Sequence, residues 1–142
     1  MAQQINVFLE NRPGRLKAVT RLLSDYNLNI QAYVVQDHAD YGMLKVLVND
    51  PDKARTVLSE TGFACALKPV LAAVVDDQPG GLYRLFDALT DANINIIDSY
   101  GFVIEAGKEA AVCVEVEDLE AAQRVASEGG FRILSPRELY DL

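Results

Sequence analysis

The sequence predicts an α+β fold of two βαββαβ units, each a four-stranded antiparallel sheet with two helices on one face. Three observations carry this. The segment Asn11-Arg12-Pro13-Gly14-Arg15-Leu16, closing on Asn29-Ile30, returns 66 residues later as Asp77-Gln78-Pro79-Gly80-Gly81-Leu82, closing on Asn95-Ile96. Across the 20 positions from 11 to 30, eight are identical to their partners, against roughly one or two expected from average residue usage. Around each copy, apolar alternation of period two switches to three- and four-residue steps and back, the pattern of strand, helix, strand. A period this long marks two copies of a small domain, not a solenoid. The expected domains are residues 1–68 and 69–142.

The elements follow in order. In Gln3–Glu10, Ile5, Val7 and Leu9 alternate with Asn6, Phe8 and Glu10, a strand with one apolar face. Pro13 suits the first helical position, where its missing N–H costs nothing. Leu16, Val19, Leu22 and Leu23 then form a buried stripe as far as Tyr26. The next strand, Leu28–Gln36, puts Leu28, Ile30, Ala32 and Val34 on one side and Gln31, Tyr33 and Val35 on the other. A polar hairpin at residues 37–42 leads to a third strand with Leu44, Val46 and Val48. Asp50 and Pro51 cap and start a helix through Ala54, Val57 and Leu58, and Gly62 ends it. Phe63–Lys68 is the fourth strand, and Pro69 breaks it before Val70–Val75 opens the second copy.

The second copy repeats the plan. Leu71, Ala73 and Val75 match Ile5, Val7 and Leu9, and Leu82, Leu85, Phe86 and Leu89 form the helix stripe. Ile94–Ile104 and Val112–Val116 are strands about a turn at residues 105–108. Asp118 caps a helix with Leu119, Ala122, Val125 and Ala126, which Gly129 and Gly130 end. Phe131–Leu134 is the last strand, and Pro136–Leu142 a short helical turn. On both stripes the leading leucines, Leu16 and Leu82, read as core. Phe8, Val35, Met43, Leu47, Val74, Ile97 and Val103 point away from the helices in this reading and are apolar, so the second sheet face is expected to be covered.

Composition excludes several classes. Half of the 142 residues are hydrophobic, ample for a core and incompatible with a disordered chain. A single unit of about 70 residues would bury only about 60 % of its unfolded surface, so the copies are expected to pack on each other, on a second chain, or on both. The formal charge is −8, with residues 69–142 carrying fourteen acidic against five basic side chains. That balance argues against a nucleic-acid partner, whose affinity depends on clustered Lys and Arg. No stretch is long and apolar enough to span a membrane, and no export signal opens the chain. Cys65 and Cys113 lie in strand-like runs without ligand spacing, which points to a reduced cytoplasmic protein with no metal site. No cofactor motif is present. His38, the only histidine, sits in a hairpin loop beside Asp37 and Asp40 with no nucleophile, so no catalytic residue is assigned.

Asn11-x-Pro13-Gly14-x-Leu16 and Asp77-x-Pro79-Gly80-x-Leu82, each after a strand and each answered by Asn-Ile at the next strand, resemble the ACT domain, the ferredoxin-like βαββαβ regulatory module of amino-acid metabolism. The resemblance covers nearly the whole chain, twice, with no catalytic domain attached. It is similar to the stand-alone tandem ACT proteins, some named as amino-acid-binding or acetolactate-synthase-like regulatory proteins. The resemblance implies an amino acid held at an ACT–ACT interface, between the Pro-Gly loop and a strand of a partner unit, and a homodimer.

The chemistry of these residues suits that ligand. The first turn of a helix leaves N–H groups unpaired and carries partial positive charge, so it accepts a carboxylate. Gly14 and Gly80 let a ligand approach that backbone. Asn11 and Asp77 can accept a bond from an ammonium, and Asn29 and Asn95 both donate and accept. A structural reading stands beside each. The glycines could serve helix–strand packing, Asn11 and Asp77 helix capping, and Asn29 and Asn95 turn closure. The copies differ at Arg12 against Gln78 and Arg15 against Gly81, which makes the first site more cationic. The expected ligand-binding set is Asn11 to Leu16, Asn29, Ile30, Asp77 to Leu82, Asn95 and Ile96. The expected function is an amino-acid sensor. The alternatives are a regulatory subunit docked on a biosynthetic enzyme such as acetolactate synthase, and a small acylphosphatase-like hydrolase, which the loop fits poorly.

Overall fold

The computed structural model describes residues 1–10 and 12–142. Its elements are β1 (Ala2–Glu10), α1 (Arg15–Asp25), β2 (Ile30–Asp37), β3 (Tyr41–Val48), α2 (Pro51–Glu60), β4 (Cys65–Asp76), α3 (Gly81–Asp91), β5 (Ile96–Glu105), β6 (Glu109–Val116), α4 (Leu119–Glu128) and α5 (Pro136–Tyr140). The chain divides into an N-terminal unit, Gln3–Lys68, and a C-terminal unit, Pro69–Tyr140. Each is a ferredoxin-like α+β unit.

In the N-terminal unit, β3 lies between β2 and β1, antiparallel to both, with Val46 opposite Tyr33 on one side and Ile5 on the other. The residues leading into β4 run along the far side of β1, where Phe8 N–H donates to Ala64 C=O at 2.9 Å. The C-terminal unit repeats this with β6 between β5 and β4. Its fourth strand is short: Val74 N–H donates to Arg132 C=O and Leu134 N–H to Ala72 C=O, both at 2.9 Å.

Both helices of each unit pack on the same sheet face. Val19, Leu23, Ala54 and Leu58 meet Ile5, Val7, Leu9, Leu44, Val46 and Val48 in one core. Leu85, Leu89, Ala122 and Ala126 meet Leu71, Ala73, Val75, Val112, Val114 and Val116 in the other. Each fully buried Leu or Val contributes about 1.5–3 kcal/mol relative to exposure, which makes the interlocked stripes the main reason these segments hold their places.

The helix ends follow from single residues. Asp50 accepts from Lys53 N–H at 3.2 Å and Asp118 from Ala121 N–H at 3.0 Å, and Pro51 opens α2, as expected. Asn27 and Asn93 adopt φ of 56° and 59° just beyond α1 and α3. There the next N–H turns back onto the helix, Leu28 to Leu23 C=O and Ile94 to Leu89 C=O, both at 2.9 Å. Asn is the side-chain-bearing residue that tolerates this left-handed conformation best, which explains one identical pair of the repeat. Gly62 and Gly130 do the same after α2 and α4.

Four expectations are corrected. Pro69 does not break the strand: β4 runs unbroken from Cys65 to Asp76, with Pro69 exposed within it. Proline's fixed φ suits extended backbone, and its cost is only a missing donor. Pro13 precedes its helix instead of starting it, as Pro79 does in the second copy, because each stands in the turn before the helix. Leu16 and Leu82 are not core; they are 38 % and 47 % exposed. Finally, the two sides of β2 are not as alternation assigns them. The pairing slips between Ile30 and Ala32, and again between Ile96 and Asp98 in β5. One extra residue, Gln31 or Ile97, reverses every later side chain. Tyr33 and Val35 therefore lie opposite Val46 and Leu44 on the helix face, as Ser99, Gly101 and Val103 lie opposite Val114, Val112 and Ala110. Of the residues expected under a cover on the other face, Leu47 is buried, while Phe8 and Ile97 are exposed.

Candidate functional site

Each copy of the repeat builds a corner from one dipeptide. Gly14 and Gly80 both sit at φ 90°, with ψ of −16° and −10°, immediately before α1 and α3. Those are the dihedrals of the third residue of a type II turn, which favours Pro second and glycine third. Gly81 N–H closes the second turn onto Gln78 C=O at 3.0 Å. Proline thus sets the corner, and glycine serves the positive φ. It does not serve packing, since a Cβ on Gly14 would meet nothing within 4 Å and one on Gly80 only Arg84 Nη1 at 3.8 Å. Because the residue before each helix has no side chain, no cap covers the first-turn N–H groups, and a helix start with partial positive charge faces outward.

Beside each helix start lies a groove, between the first helix of the unit and the edge strand that the helices leave uncovered. In the N-terminal unit it measures about 630 Å³ and is lined by Leu16, Lys17, Thr20, Ile30, Gln31, Ala32, Tyr33, Leu44 and Val46. In the C-terminal unit it measures about 440 Å³, and its lining includes Asp76, Asp77, Gln78, Leu82, Phe86, Ser99, Tyr100, Gly101 and Val112. Leu16 and Leu82 are exposed because they form the helix-side walls of these grooves.

The grooves bring together part of the expected set. Leu16 and Ile30 share the first; Asp77, Gln78 and Leu82 share the second. Asn95 and Ile96 line a separate hollow of about 360 Å³ with Thr90, Asn93 and Ile94. Asn11 lies outside the described residues. Arg12 pairs with Glu10 at 2.8 Å. Arg15 turns to the other side of α1, its guanidinium 4.8 Å from the centre of the Phe63 ring. Asn29 exchanges bonds with Asn49, donating its N–H to Asn49 Oδ1 at 3.0 Å and accepting Asn49 N–H at 3.2 Å.

Asp77 does not cap α3. Its Oδ2 accepts Gly107 N–H at 2.8 Å, and its own N–H donates to Lys108 C=O at 3.0 Å. Gln78 Nε2 donates to Gly107 C=O at 2.5 Å. Three bonds therefore tie this loop to the β5–β6 turn. Gly81 is buried so close behind it that a Cβ would stand 2.0 Å from Asp76 C=O. Arg84 pairs with Asp76 at 2.6 Å.

Alternation cannot find Tyr33 or Ser99, because the bulge moves them to the helix face. Thr20 and Lys17 were findable: Thr20 stands four positions after Leu16, on the same side of α1, and Lys17 three before Thr20. On the sheet face away from the helices Tyr100 lies opposite Cys113. Burial pushes the Cys113 thiol up to about 12, with the bond to Tyr100 opposing it, and burial likewise raises the Tyr100 phenol. His38 stacks on Tyr41 with ring centres 5.0 Å apart. Among the described residues no group of His, Cys, Asp and Glu is arranged to hold a metal, and no helix is long and apolar enough to cross a membrane.

The sequence matches no functionally curated protein. Among solved structures, the chain is similar to protein BT0572 from Bacteroides thetaiotaomicron. The two are 31 % identical over 99 % of this chain and 96 % of that one, with a TM-score of 0.93. The ligand-free regulatory subunit of aspartate kinase from Thermus thermophilus shares the fold at 18 % identity, covering 89 % and 91 % of the chains with a TM-score of 0.63. The corresponding subunit from Thermus flavus does so at 19 % identity, covering 90 % and 92 %, with a TM-score of 0.58. The family profile of ACT domain pairs matches residues 1–142. With two type II turns at equivalent places in two ferredoxin-like units, and that match from end to end, the chain belongs to the ACT domain pair family.

Proposed function

We propose that this protein is a non-catalytic regulatory sensor that binds a free amino acid at an ACT–ACT interface through its Pro-Gly loops. The observation that carries the reading is the repeated corner: a glycine at φ 90° delivers an uncapped helix start to the mouth of a groove. An α-amino acid needs positive polarity for its carboxylate, an acceptor for its ammonium and a pocket for its side chain. The uncapped helix start and the groove offer the first and the last of these together. Membership of the ACT domain pairs and the fold shared with aspartate kinase regulatory subunits support a regulatory role.

The partner unit comes from a second copy in this reading. Tyr33 and Val35 on β2, and Ile97 and Val103 on β5, leave apolar side chains exposed on edge strands. Such edges pair with another chain unless blocked. Regulation then arises because the ligand binds one arrangement of the dimer better than another.

Thermal unfolding against each common amino acid at millimolar concentration tests this. A ligand at 100 times its Kd stabilises the folded state by about 2.7 kcal/mol, which for a chain of this size raises Tm by roughly 5–11 °C. One or a few amino acids are expected to give such a shift. If none does, the sensor reading fails and a docking subunit of a biosynthetic enzyme takes its place.

A further inference from the structure

We propose that the two copies have diverged, so that only the N-terminal groove takes the ligand, an amino acid with an apolar side chain, while the C-terminal loop is closed by its own hairpin turn. This rests on the amino-acid reading above and adds where the ligand sits and which class it belongs to.

The N-terminal groove has the size and lining of a small-molecule site. Its roughly 630 Å³ falls within the about 300–1,000 Å³ typical of such pockets, which are mainly apolar with a few placed polar groups. Leu16, Ile30, Tyr33, Leu44 and Val46 make most of its surface, and no carboxylate lines it. Its cation is Lys17, in the first turn of α1, where the ammonium adds to the positive end of the helix. Among the described residues no acid pairs with it. Thr20 points its hydroxyl back to the carbonyls of Leu16 and Lys17, at 3.0 and 3.1 Å, so its donor is used within the helix. The arrangement suits a carboxylate at the helix end and an apolar side chain along the groove. An acidic side chain would lie unpaired against hydrocarbon, and a basic one would lack a carboxylate partner.

The C-terminal groove is also mainly apolar but differs in charge and in size. Tyr83 replaces Lys17 and Phe86 replaces Thr20, and Phe86 enters the groove, which falls to about 440 Å³. Asp76, paired with Arg84, and Asp77 line it, and the Asp77 charge opposes a ligand carboxylate. The loop is tied to its own hairpin turn: Asp77 Oδ2 accepts Gly107 N–H, and Gln78 Nε2 donates to Gly107 C=O. The loop has little room to retreat, because Gly81 stands against the Asp76 carbonyl.

The test is isothermal titration of the full chain with leucine, valine, phenylalanine, aspartate and lysine, and with 3-methylbutylamine, which is leucine without its carboxylate. The expected result is one site per chain, selective for an apolar amino acid by at least tenfold, with the amine bound at least tenfold more weakly. Lys17→Glu should weaken binding at least tenfold, and Tyr83→Glu, at the equivalent exposed position of the other copy, should leave Kd unchanged. Both changes are on the surface, and matching melting curves without ligand establish that the variants fold. Two equal sites per chain, tighter binding of aspartate or lysine, or Lys17→Glu binding like the parent would each overturn the proposal while leaving the amino-acid reading standing. Heat from none of the five overturns the proposal, and the amino-acid reading falls with it only if no common amino acid shifts the melting curve.

Discussion

Gly81 and Arg15 occupy the same place in the repeat, yet only one of them has room for a side chain. A Cβ on Gly81 would lie 2.0 Å from the backbone oxygen of Asp76, and no flexible group is there to yield. Arg15 carries its side chain out over Phe63 at 4.8 Å. The first helix of the C-terminal unit therefore sits tighter on the strand before it, and that closeness holds the 76–81 loop in place. Gly81→Ala should destabilise the protein by about 1–3 kcal/mol, the usual cost of overpacking, measured as the midpoint of urea unfolding. Arg15→Ala should cost less, about 0.5–1 kcal/mol, for the lost guanidinium–ring contact. If Gly81→Ala costs no more than Arg15→Ala, the loop is free to shift, and the argument that it is closed loses its support. Gly14 and Gly80 are different in kind. Their φ of 90° demands glycine although space surrounds them; the Pro-Gly step marks a turn, which placing Pro13 at the first helical position overlooks. The buried state of Gly81 was not legible, because a glycine in a sequence does not say whether it serves φ or contact.

At the scale of elements, α5 shows how few residues can hold a helix of one turn. Ser135 and Glu138 cap each other: Glu138 N–H donates to Ser135 Oγ at 3.2 Å, and Ser135 N–H to Glu138 Oε1 at 3.1 Å. This is a capping box with Pro136 at the first helical position. The bond from Ser135 N–H, then the Ser135 hydroxyl, and more weakly Arg132, hold the Glu138 carboxyl below its ordinary value of 4.5. A carboxyl held low in the folded state contributes stability above its unfolded pKa and loses it as pH falls through the folded value. The protection factor of the Leu139 amide, which bonds Ser135 C=O at 3.0 Å, should therefore be constant above about pH 5 and fall in acid. In Glu138→Gln it should be lower throughout and indifferent to pH. Ser135→Ala should weaken the same protection by about 1 kcal/mol. An acid response unchanged in Glu138→Gln would assign it to another group. The Ser-x-x-Glu spacing was readable in the sequence. The bulges at Gln31 and Ile97 were not, since an extra residue in a strand leaves composition and length untouched while moving Tyr33, Val35 and Ser99 to the opposite face. That single slip separates the expected walls of the grooves from the real ones.

For the molecule as a whole, the duplication was legible because the residues it preserves are those that backbone geometry demands: Pro13 and Gly14 for the turn, Asn27 for the left-handed helix end, Leu23 for the core. What differs between the copies had to be seen in space, because Phe86 for Thr20 or Asp77 for Asn11 acquires meaning only from its neighbours. Each unit has its own apolar core; Cys65 packs against the first, while Cys113 lies on β6 on the side of the sheet away from the second. Cys65, half-buried in the N-terminal unit, has Sγ 3.3 Å from Ser59 Oγ. Cys113 is buried on β6, and its thiol is pushed from 9.0 to about 12 by burial. The thiolate is the reacting species, so at pH 8 Cys113 presents roughly a thousandfold less of it than an ordinary thiol, at a site the reagent cannot enter. Alkylation at pH 8 should therefore modify Cys65 first. Cys113 should follow only as the C-terminal unit opens, so that in Cys65→Ser the rate of labelling rises with urea in step with unfolding of that unit. A native Cys113 labelled as fast as Cys65 would mean that the face of β6 away from the helices is open to solvent. With an amino acid bound in the N-terminal groove, the same rate says whether the ligand is felt in the other copy. Slower Cys113 labelling at saturation would show the two units coupled, which is what a sensor requires if binding in one copy is to be read from the other.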